Sequence, residues 1–503
     1  MLTDIIETIS DYGRTHPDWV AYDELGQTHT YGELLAASDG IATTLGQLKL
    51  TPKAPVMVYA DQSFATVATF LGCVKAGHAY IPVDTHSPND RLTMIADIAR
   101  PALTIAVQPL PISLPGRVLG GRALEAAMTA PRQPQTPVVG DENFYIIFTS
   151  GTTGQPKGVQ ISHTNLLSFV NWFATFQLPA RPRVLAQAPY SFDLSVMTLY
   201  PTLTAGGVVK VLPAATTANL KSLFAALPKL DLQVWVSTPS FMDICLLDPT
   251  FDAAHYPALQ QIFFCGEELT RQTAATLLDR FPEVALFNTY GPTEATVAVT
   301  AVQITPAVLE EYPRLPIGKI KPDTTISLRP GTTRQEDMRL TGELLLAGPS
   351  VAKGYLNRPD KTVAVFSDTP AGRAYATGDL GTIDADGMVH YRGRTDFQIK
   401  LNGYRIELEE VNHYLNAEPL IKQAVAVPKY NAAHKVSQLL AYVVPAANDY
   451  DSEFALTKAL RQALGQTMMS YMVPQRFIYR DALPLTQNGK VAIKQLISEV
   501  NAS

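Results

Sequence analysis

The sequence predicts an α/β protein with a large N-terminal domain of parallel-rich sheets covered by helices, a small β-rich subdomain within it, and a smaller α+β C-terminal domain. Three observations predict this. Strand and helix signals alternate through the first three-quarters of the chain, short strands with Gly and Pro turns take over from about residue 315, and a different texture begins after Gly393. The boundaries read as 1–394 for the large domain, with the β-rich part from about 315, and 395–503 for the small one.

A chain of 503 residues with 46% hydrophobic and 17% charged residues has globular composition and is too long for a single core. A formal net charge of −6 leaves no footprint for a polyanion, so nucleic acid is not an expected partner. Cys73, Cys245 and Cys265 stand far apart, without metal-ligand or disulfide spacing. The first twenty residues carry Asp4, Glu7, Asp11 and Arg14 and lack the apolar core of an export signal, and no apolar run is long enough to span a bilayer. A cytoplasmic protein is the expectation.

The elements follow in order. Val56 to Ala60 reads as a buried strand, Ser63 as the cap of a helix carrying Phe64, Val67, Leu71 and Val74 at helical spacing, and Lys75 with Gly77 as its stop. Ala79 to Val83 then completes a β-α-β unit. Pro109 to Pro137 reads as loop. Strand signals return at 184–188, 207–212, 234–237, 261–265 and 285–288, which argues for parallel sheets. Gly342 to Gly348 belongs to the β-rich part. Beyond Gly393, Phe397, Ile399 and Leu401 alternate with polar residues before Asn402-Gly403, a hairpin signal. A helix from 407 to 415, strands near 424–427 and 439–444, and a helix with Leu456, Leu460, Ala463 and Leu464 on one stripe complete the small domain.

The strongest chemical signal is the run Phe148-Thr-Ser-Gly-Thr-Thr-Gly-Gln-Pro-Lys-Gly158. Glycines permit close backbone approach, hydroxyls add donors and Lys157 adds positive charge, so the loop suits phosphates. It is no Walker-type loop, because Pro156 and Gly158 stand where that motif needs Gly and Ser or Thr, and Val159 to Ile161 looks like strand, not helix.

This run resembles the phosphate-loop signature of the adenylate-forming superfamily. Further segments match in order: Thr30-Tyr-Gly-Glu-Leu34, Lys75 to Asp84, Tyr290-Gly-Pro-Thr-Glu294, Gly342-Glu343 with Gly354-Tyr355, Tyr375 to Asp379, Gly393-Arg-Thr-Asp396 with Gly403-Tyr-Arg-Ile-Glu407, and Asn488-Gly-Lys490. The resemblance spans essentially the whole chain. It implies ATP and Mg²⁺ as cofactors and an enzyme that joins a carboxylic acid to AMP, releases pyrophosphate, and passes the acyl group to a thiol.

Roles carry over residue by residue. The loop residues Thr149, Ser150, Gly151, Thr152, Thr153, Gly154 and Lys157 are implied to wrap phosphates. Asn288, Thr289, Tyr290, Gly291 and Pro292 form the nucleotide segment, with Tyr290 against adenine, Thr293 on the α-phosphate and Glu294 as the Mg²⁺ ligand, a hard oxygen donor suited to that ion. Asp379 is implied to take the ribose hydroxyls and Arg394 to reach ribose or phosphate. Lys490 would enter the active site and stabilise developing charge, with Thr293 and Glu294 as the other catalytic residues. Asp396 is the implied hinge of a mobile C-terminal domain, which lets one pocket serve two half-reactions.

The acid is read from Asp193, the lone charged side chain in the stretch Leu185 to Tyr200. A carboxylate in apolar surroundings stays at the surface or meets a cation, and a substrate ammonium is such a cation. Matching positions place Met197, Phe263, Cys265, Thr289 and Val297 around it, leaving room for a small side chain such as alanine or glycine. Within the superfamily the chain resembles stand-alone ligases that load D-alanine for lipoteichoic acid, so D-alanine is the expected substrate, with Cys265 beside its Cα as a steric guard of chirality. No carrier motif is read in the chain. The expected acceptor is therefore the phosphopantetheine thiol of a separate small acidic carrier protein, met by basic residues such as Lys400, Arg405, Lys422 and Lys429; free coenzyme A is the competitor. A monomer is expected. An acyl-CoA ligase for a small non-amino acid, an adenylating enzyme of another pathway and an idle nucleotide-binding protein are the alternatives.

Overall fold

The structure is a computed structural model that describes residues 1–151, 155–336, 339–431, 435–484 and 491–502. They divide into two compact units, Met1–Thr85 with Ile98–Phe148 and Gly158–Thr395, and His86–Asp97 with Thr149–Lys157 and Asp396–Ser503.

In the first unit the described residues build two parallel-rich sheets and an antiparallel one. The nine-stranded sheet runs Lys319–Ile320, Thr300–Ile304, Ala285–Tyr290, Gln261–Phe264, Val234–Ser237, Arg183–Ala186, Val208–Val211, Val20–Glu24, Gln27–Thr30. It is parallel from Ala285–Tyr290 to Val20–Glu24 and antiparallel only toward its edges. Side chains alternate between two cores. Val184, Val236 and Phe263 join one apolar cluster, while Leu185, Trp235 and Ile262 join another on the opposite face. Cover on both faces is what a parallel sheet requires.

The second sheet contains the β-α-β unit of Val56–Ala60, Phe64–Lys75 and Tyr80–Asp84. Ser63 takes the cap position there, but its side chain does not cap the helix; its hydroxyl shares a 3.0 Å hydrogen bond with that of Thr66. The segment from Pro109 to Pro137 is not all loop. Val118–Gly120 pairs parallel with Leu103–Ala106, and the helix Arg122–Met128 buries Leu124 and Ala127. The prolines lie to either side of this strand and helix, so they leave its backbone free to hydrogen-bond.

Between these two sheets lies the helix Leu194–Thr204, buried along nearly its whole length. Thr198 Oγ1 donates to Leu185 O in the first sheet at 3.1 Å, and the hydroxyls of Tyr200 and Tyr80 meet at 2.6 Å on the side of the second. Thr30 and Glu33 close a capping box on the helix Tyr31–Gln47, and Tyr31 Oη donates to Leu203 O and Gly207 O, holding the C-terminal end of the buried helix. Lys75, paired with Asp39 at 2.7 Å, braces the helix pair behind it. Two of the recurring segments are thus structural parts that locate this helix.

The antiparallel sheet spans Thr325–Leu328, Arg334–Glu336, Arg339–Ala347, Phe366–Thr369, Gly372–Ile383 and Val389–Arg394, the β-rich part expected from about residue 315.

The second unit contains the hairpin Gln398–Leu401 and Tyr404–Glu407, turned by Asn402 and Gly403 at φ 52° and 85°, the left-handed pair that an Asn-Gly turn supplies. The helix Leu408–Ala417 and the strands Ile421–Tyr430 and Val436–Pro445 follow. Glu453–Thr467 buries Leu456, Leu460 and Leu464, as its stripe predicts. The strand Arg476–Tyr479 and the helix Ile493–Asn501 are absent from the sequence reading; four residues alternate too briefly to be recognised alone.

Candidate functional site

Asp379 is buried at the end of a left-handed turn at Gly378 (φ 72°), in the long strand Gly372–Ile383. Its Oδ2 accepts from the Tyr290 hydroxyl at 2.5 Å and its Oδ1 from Arg394 Nη1 at 2.6 Å. Each oxygen keeps acceptor capacity beyond these bonds. Burial and, second, the Asp379 charge push the Tyr290 phenol well above its ordinary range, so it stays a donor. Glu343 holds the turn from behind, accepting from Gly378 N at 2.9 Å while paired with Arg329 at 2.9 Å. This explains the Gly342-Glu343 segment, which the sequence could flag but not interpret.

Tyr290 ends the strand Ala285–Tyr290, and the chain then doubles back tightly. Asn288 Nδ2 donates to Pro316 O and Thr289 Oγ1 to Phe264 O, both at 2.7 Å, so these two side chains spend donors on locating the strand end. A Cβ on Gly291 would lie 2.6 Å from Ala298 Cα, and only glycine fits there. The reason is a three-residue turn in which Ala298 N donates to Thr296 O, with Thr296 at φ 58° and Val297 at φ 69°. A β-branched residue in that region is strained, and such strain is concentrated at functional sites. Pro292 and the buried Thr293 lead into the short turn Thr293–Ala295 that carries Glu294.

Glu294 is wholly buried; its Oε1 accepts from the Tyr355 hydroxyl at 2.8 Å and its carbonyl from Ala352 N at 2.8 Å. Gly354-Tyr355 matches the family in sequence without showing a task; the structure puts its phenol on the candidate metal carboxylate.

Asp193 immediately precedes the buried helix Leu194–Thr204, half-buried, and its side chain does not cap that helix. Met197 lies one turn on and joins Phe263, Cys265 and Val297 in one apolar cluster. Cys265 Sγ donates to Val297 O at 3.6 Å, tying the strand Gln261–Phe264 to the strained turn. Phe263 stacks on Phe287 at 4.8 Å and packs against Phe173 and Phe176, so it acts from within an aromatic core. Tyr145 was missed. Its phenol is buried without a hydrogen-bond partner among the described residues, and burial, then the charge of Asp193, raises its pKa well above the usual value. Buried orphan hydroxyls are rare, a signal that only coordinates reveal.

In the second unit, Ser150 Oγ donates to Arg405 O at 3.0 Å and Gly151 N to Glu410 Oε2 at 3.1 Å. Arg91 Nη1 lies 3.6 Å from Glu410 Oε1, and Lys157 Nζ lies 4.0 Å from Glu407 Oε1. Thr149 Oγ1 reaches Lys157 O at 3.5 Å. The backbone and lysine donors read as phosphate ligands therefore face carboxylates here. Arg405 is mostly buried beside Glu407 and Lys422 is exposed, while Lys400 and Lys429 are half-buried. Asp396 is exposed at the first residue after the boundary between the units and accepts from Gln398 N at 3.2 Å. Thr152, Thr153, Gly154 and Lys490 lie outside the described residues. Cys73, Cys245 and Cys265 are buried and form no disulfide, and no helix among the described residues is long and apolar enough to cross a membrane.

A parallel-rich α/β unit, an antiparallel sheet carrying the buried Asp379 carboxylate and a separate α+β unit make up the architecture of an adenylate-forming enzyme. The chain belongs to the AMP-binding enzyme family: that family's model matches residues 9–356 and the AMP-binding enzyme C-terminal domain matches residues 410–490. It is 56% identical to a D-alanine–D-alanyl carrier protein ligase of Lactiplantibacillus plantarum and 48% identical to one of Streptococcus pyogenes, each over 100% of both chains. Among solved structures it is similar to a Vibrio cholerae adenylation domain in complex with glycyl-adenosine-5′-phosphate, at TM-score 0.83 and 22% identity over 100% of this chain and 98% of that one. An o-succinylbenzoate CoA synthetase from Bacillus subtilis gives TM-score 0.83 at 19% identity over 98% of each chain. At such identities the likeness is one of fold.

Proposed function

We propose that this chain activates D-alanine as D-alanyl-AMP and transfers the alanyl group to the phosphopantetheine thiol of a separate carrier protein, for D-alanylation of lipoteichoic acid. One observation carries the reading. The Asp193 carboxylate precedes a buried helix whose Met197 packs with Cys265 and Val297, in a chain 56% identical end to end to a D-alanine–D-alanyl carrier protein ligase. A carboxylate suits an ammonium, and closely packed walls suit a small side chain.

The residues divide the work by chemistry. Asp193 binds the ammonium and orients the substrate carboxylate. Asp379, held by Tyr290 and Arg394, takes the ribose hydroxyls, and Tyr290 lies against the adenine. Glu294 is the residue that would hold Mg²⁺. The ion's preference for hard oxygen, with phosphates supplying its other ligands, fits a buried carboxylate whose orientation is fixed by a phenol, and it would neutralise phosphate charge there. Thr293 contacts the α-phosphate, and Lys157 with the loop Thr149 to Gly154 holds the others.

A substrate carboxylate oxygen attacks the α-phosphorus, the bond to pyrophosphate breaks, and Lys490 stabilises the charge that builds on the phosphate oxygens. In the second half-reaction the thiol, having lost its proton, attacks the acyl carbon and AMP leaves. Asp396 is the hinge between the two.

The test is ATP–pyrophosphate exchange with D-alanine, L-alanine, glycine, acetate and propionate, followed by thioester formation on a phosphopantetheinylated carrier against free coenzyme A. D-Alanine and the carrier are expected to be preferred. Preference for a simple acid and coenzyme A would assign the chain to acyl-CoA ligase chemistry instead.

A further inference from the structure

We propose that Tyr355 is the positioning residue of Glu294, and that its phenol sets how tightly the nucleotide-bound enzyme holds its divalent cation; this rests on the assignment of Glu294 as the metal carboxylate.

The segment around Tyr355 is fastened on three sides. Against the strand Lys157–Ser162, Lys353 N donates to Gln160 O, Gln160 N to Gly354 O and Leu356 N to Gly158 O, at 3.1, 3.0 and 2.8 Å, around a bridge between Val159 and Tyr355. Against the helix Pro359–Val365, Tyr355 N donates to Thr362 Oγ1 at 3.0 Å. Gly354 stands at φ 134°, where a Cβ would lie 2.4 Å from Thr362 Cγ2, so the approach needs glycine. The Tyr355 ring meets Phe366 edge-on at 5.4 Å.

On the third side the same segment grips Glu294 twice, by Ala352 N on the carbonyl and by the Tyr355 hydroxyl on Oε1. The main-chain bond fixes where the residue is. The phenol fixes which way its carboxylate points. A wholly buried carboxylate has a large desolvation cost, and a preorganised donor favours one rotamer for it in advance of the cation.

Tyr355→Phe removes only the hydroxyl and keeps the ring against Phe366. Mn²⁺ is titrated, with binding followed by electron paramagnetic resonance, into the full chain with a non-cleavable ATP analogue. The Phe variant is expected to bind Mn²⁺ about tenfold more weakly, the equivalent of one charge-assisted hydrogen bond. Pyrophosphate exchange is expected to recover as Mg²⁺ is raised, so the defect lies in half-saturation and not in the limiting rate. Glu294→Gln runs in parallel. Unchanged Mn²⁺ affinity in Tyr355→Phe, with a loss in Glu294→Gln, overturns the role of Tyr355 alone. Unchanged affinity in both overturns the assignment of Glu294 as well.

Discussion

Asp379 and Arg394 stand directly opposite each other on two antiparallel strands, and their side chains close at 2.6 Å on one carboxylate oxygen while Tyr290 holds the other. The carboxylate is thereby preorganised, with lone pairs to spare for a diol. Asp379→Asn is expected to weaken ATP ten- to a hundredfold, roughly one or two charge-assisted hydrogen bonds. Comparing ATP with 2′-deoxy-ATP checks the cause: the preference for ATP shrinks toward unity in the variant, and a preserved preference would place the ribose elsewhere.

Asp193 is expected to decide between amino acids and plain acids. Asp193→Asn leaves the substrate ammonium without its counter-charge, which costs about 2–5 kcal/mol for a desolvated pair. Exchange with D-alanine falls at least about thirtyfold, whereas propionate, which has no ammonium, is unaffected or improved. Parallel losses for both substrates would contradict the role.

Cys265 lies between the apolar wall and the strained turn at Val297, to whose carbonyl its thiol donates. Cys265→Ala removes the sulfur, and the ratio of exchange rates for D- over L-alanine is expected to fall. An unaltered ratio would leave Cys265 as a small buried residue that ties the turn.

Lys490 is expected to serve the first half-reaction and not the second. Lys490→Ala is expected to lower pyrophosphate exchange about a hundred- to a thousandfold, the usual effect of removing a transition-state donor. Transfer from supplied D-alanyl-AMP to the thiol should persist. Equal loss of both steps would refute the assignment.

Burial, opposed by Arg91, raises the pKa of Glu410 above its ordinary 4.5. Between that value and the raised one the folded chain holds a proton that the unfolded chain has released, so this group's contribution to stability declines as pH climbs through the window. Glu410→Gln abolishes that contribution. Urea midpoints measured from pH 4.5 upward should slope less for the variant; an identical slope would mean that other groups control it.

Neighbouring residues suffice to read the α/β class, five strands of the parallel-rich sheet and the hairpin at Asn402-Gly403. These are local: alternation, helical spacing and turn chemistry are written in neighbouring residues, and Asp193 stands out as a lone charge in its stretch, whereas Asp379 and Glu294 are singled out by resemblance to the family's segments. Where reading failed, the cause was equally physical. Ser63 found a partner in Thr66 instead of capping, and Val118–Gly120 is too short to announce itself among prolines without the partner strand Leu103–Ala106. It is the folded chain that sets Tyr355 against Glu294, Glu343 behind the Gly378 turn and Tyr31 on the helix following Asp193. Those contacts join residues tens to more than a hundred positions apart, and no periodicity along a chain encodes which distant hydroxyl will meet which buried carboxylate.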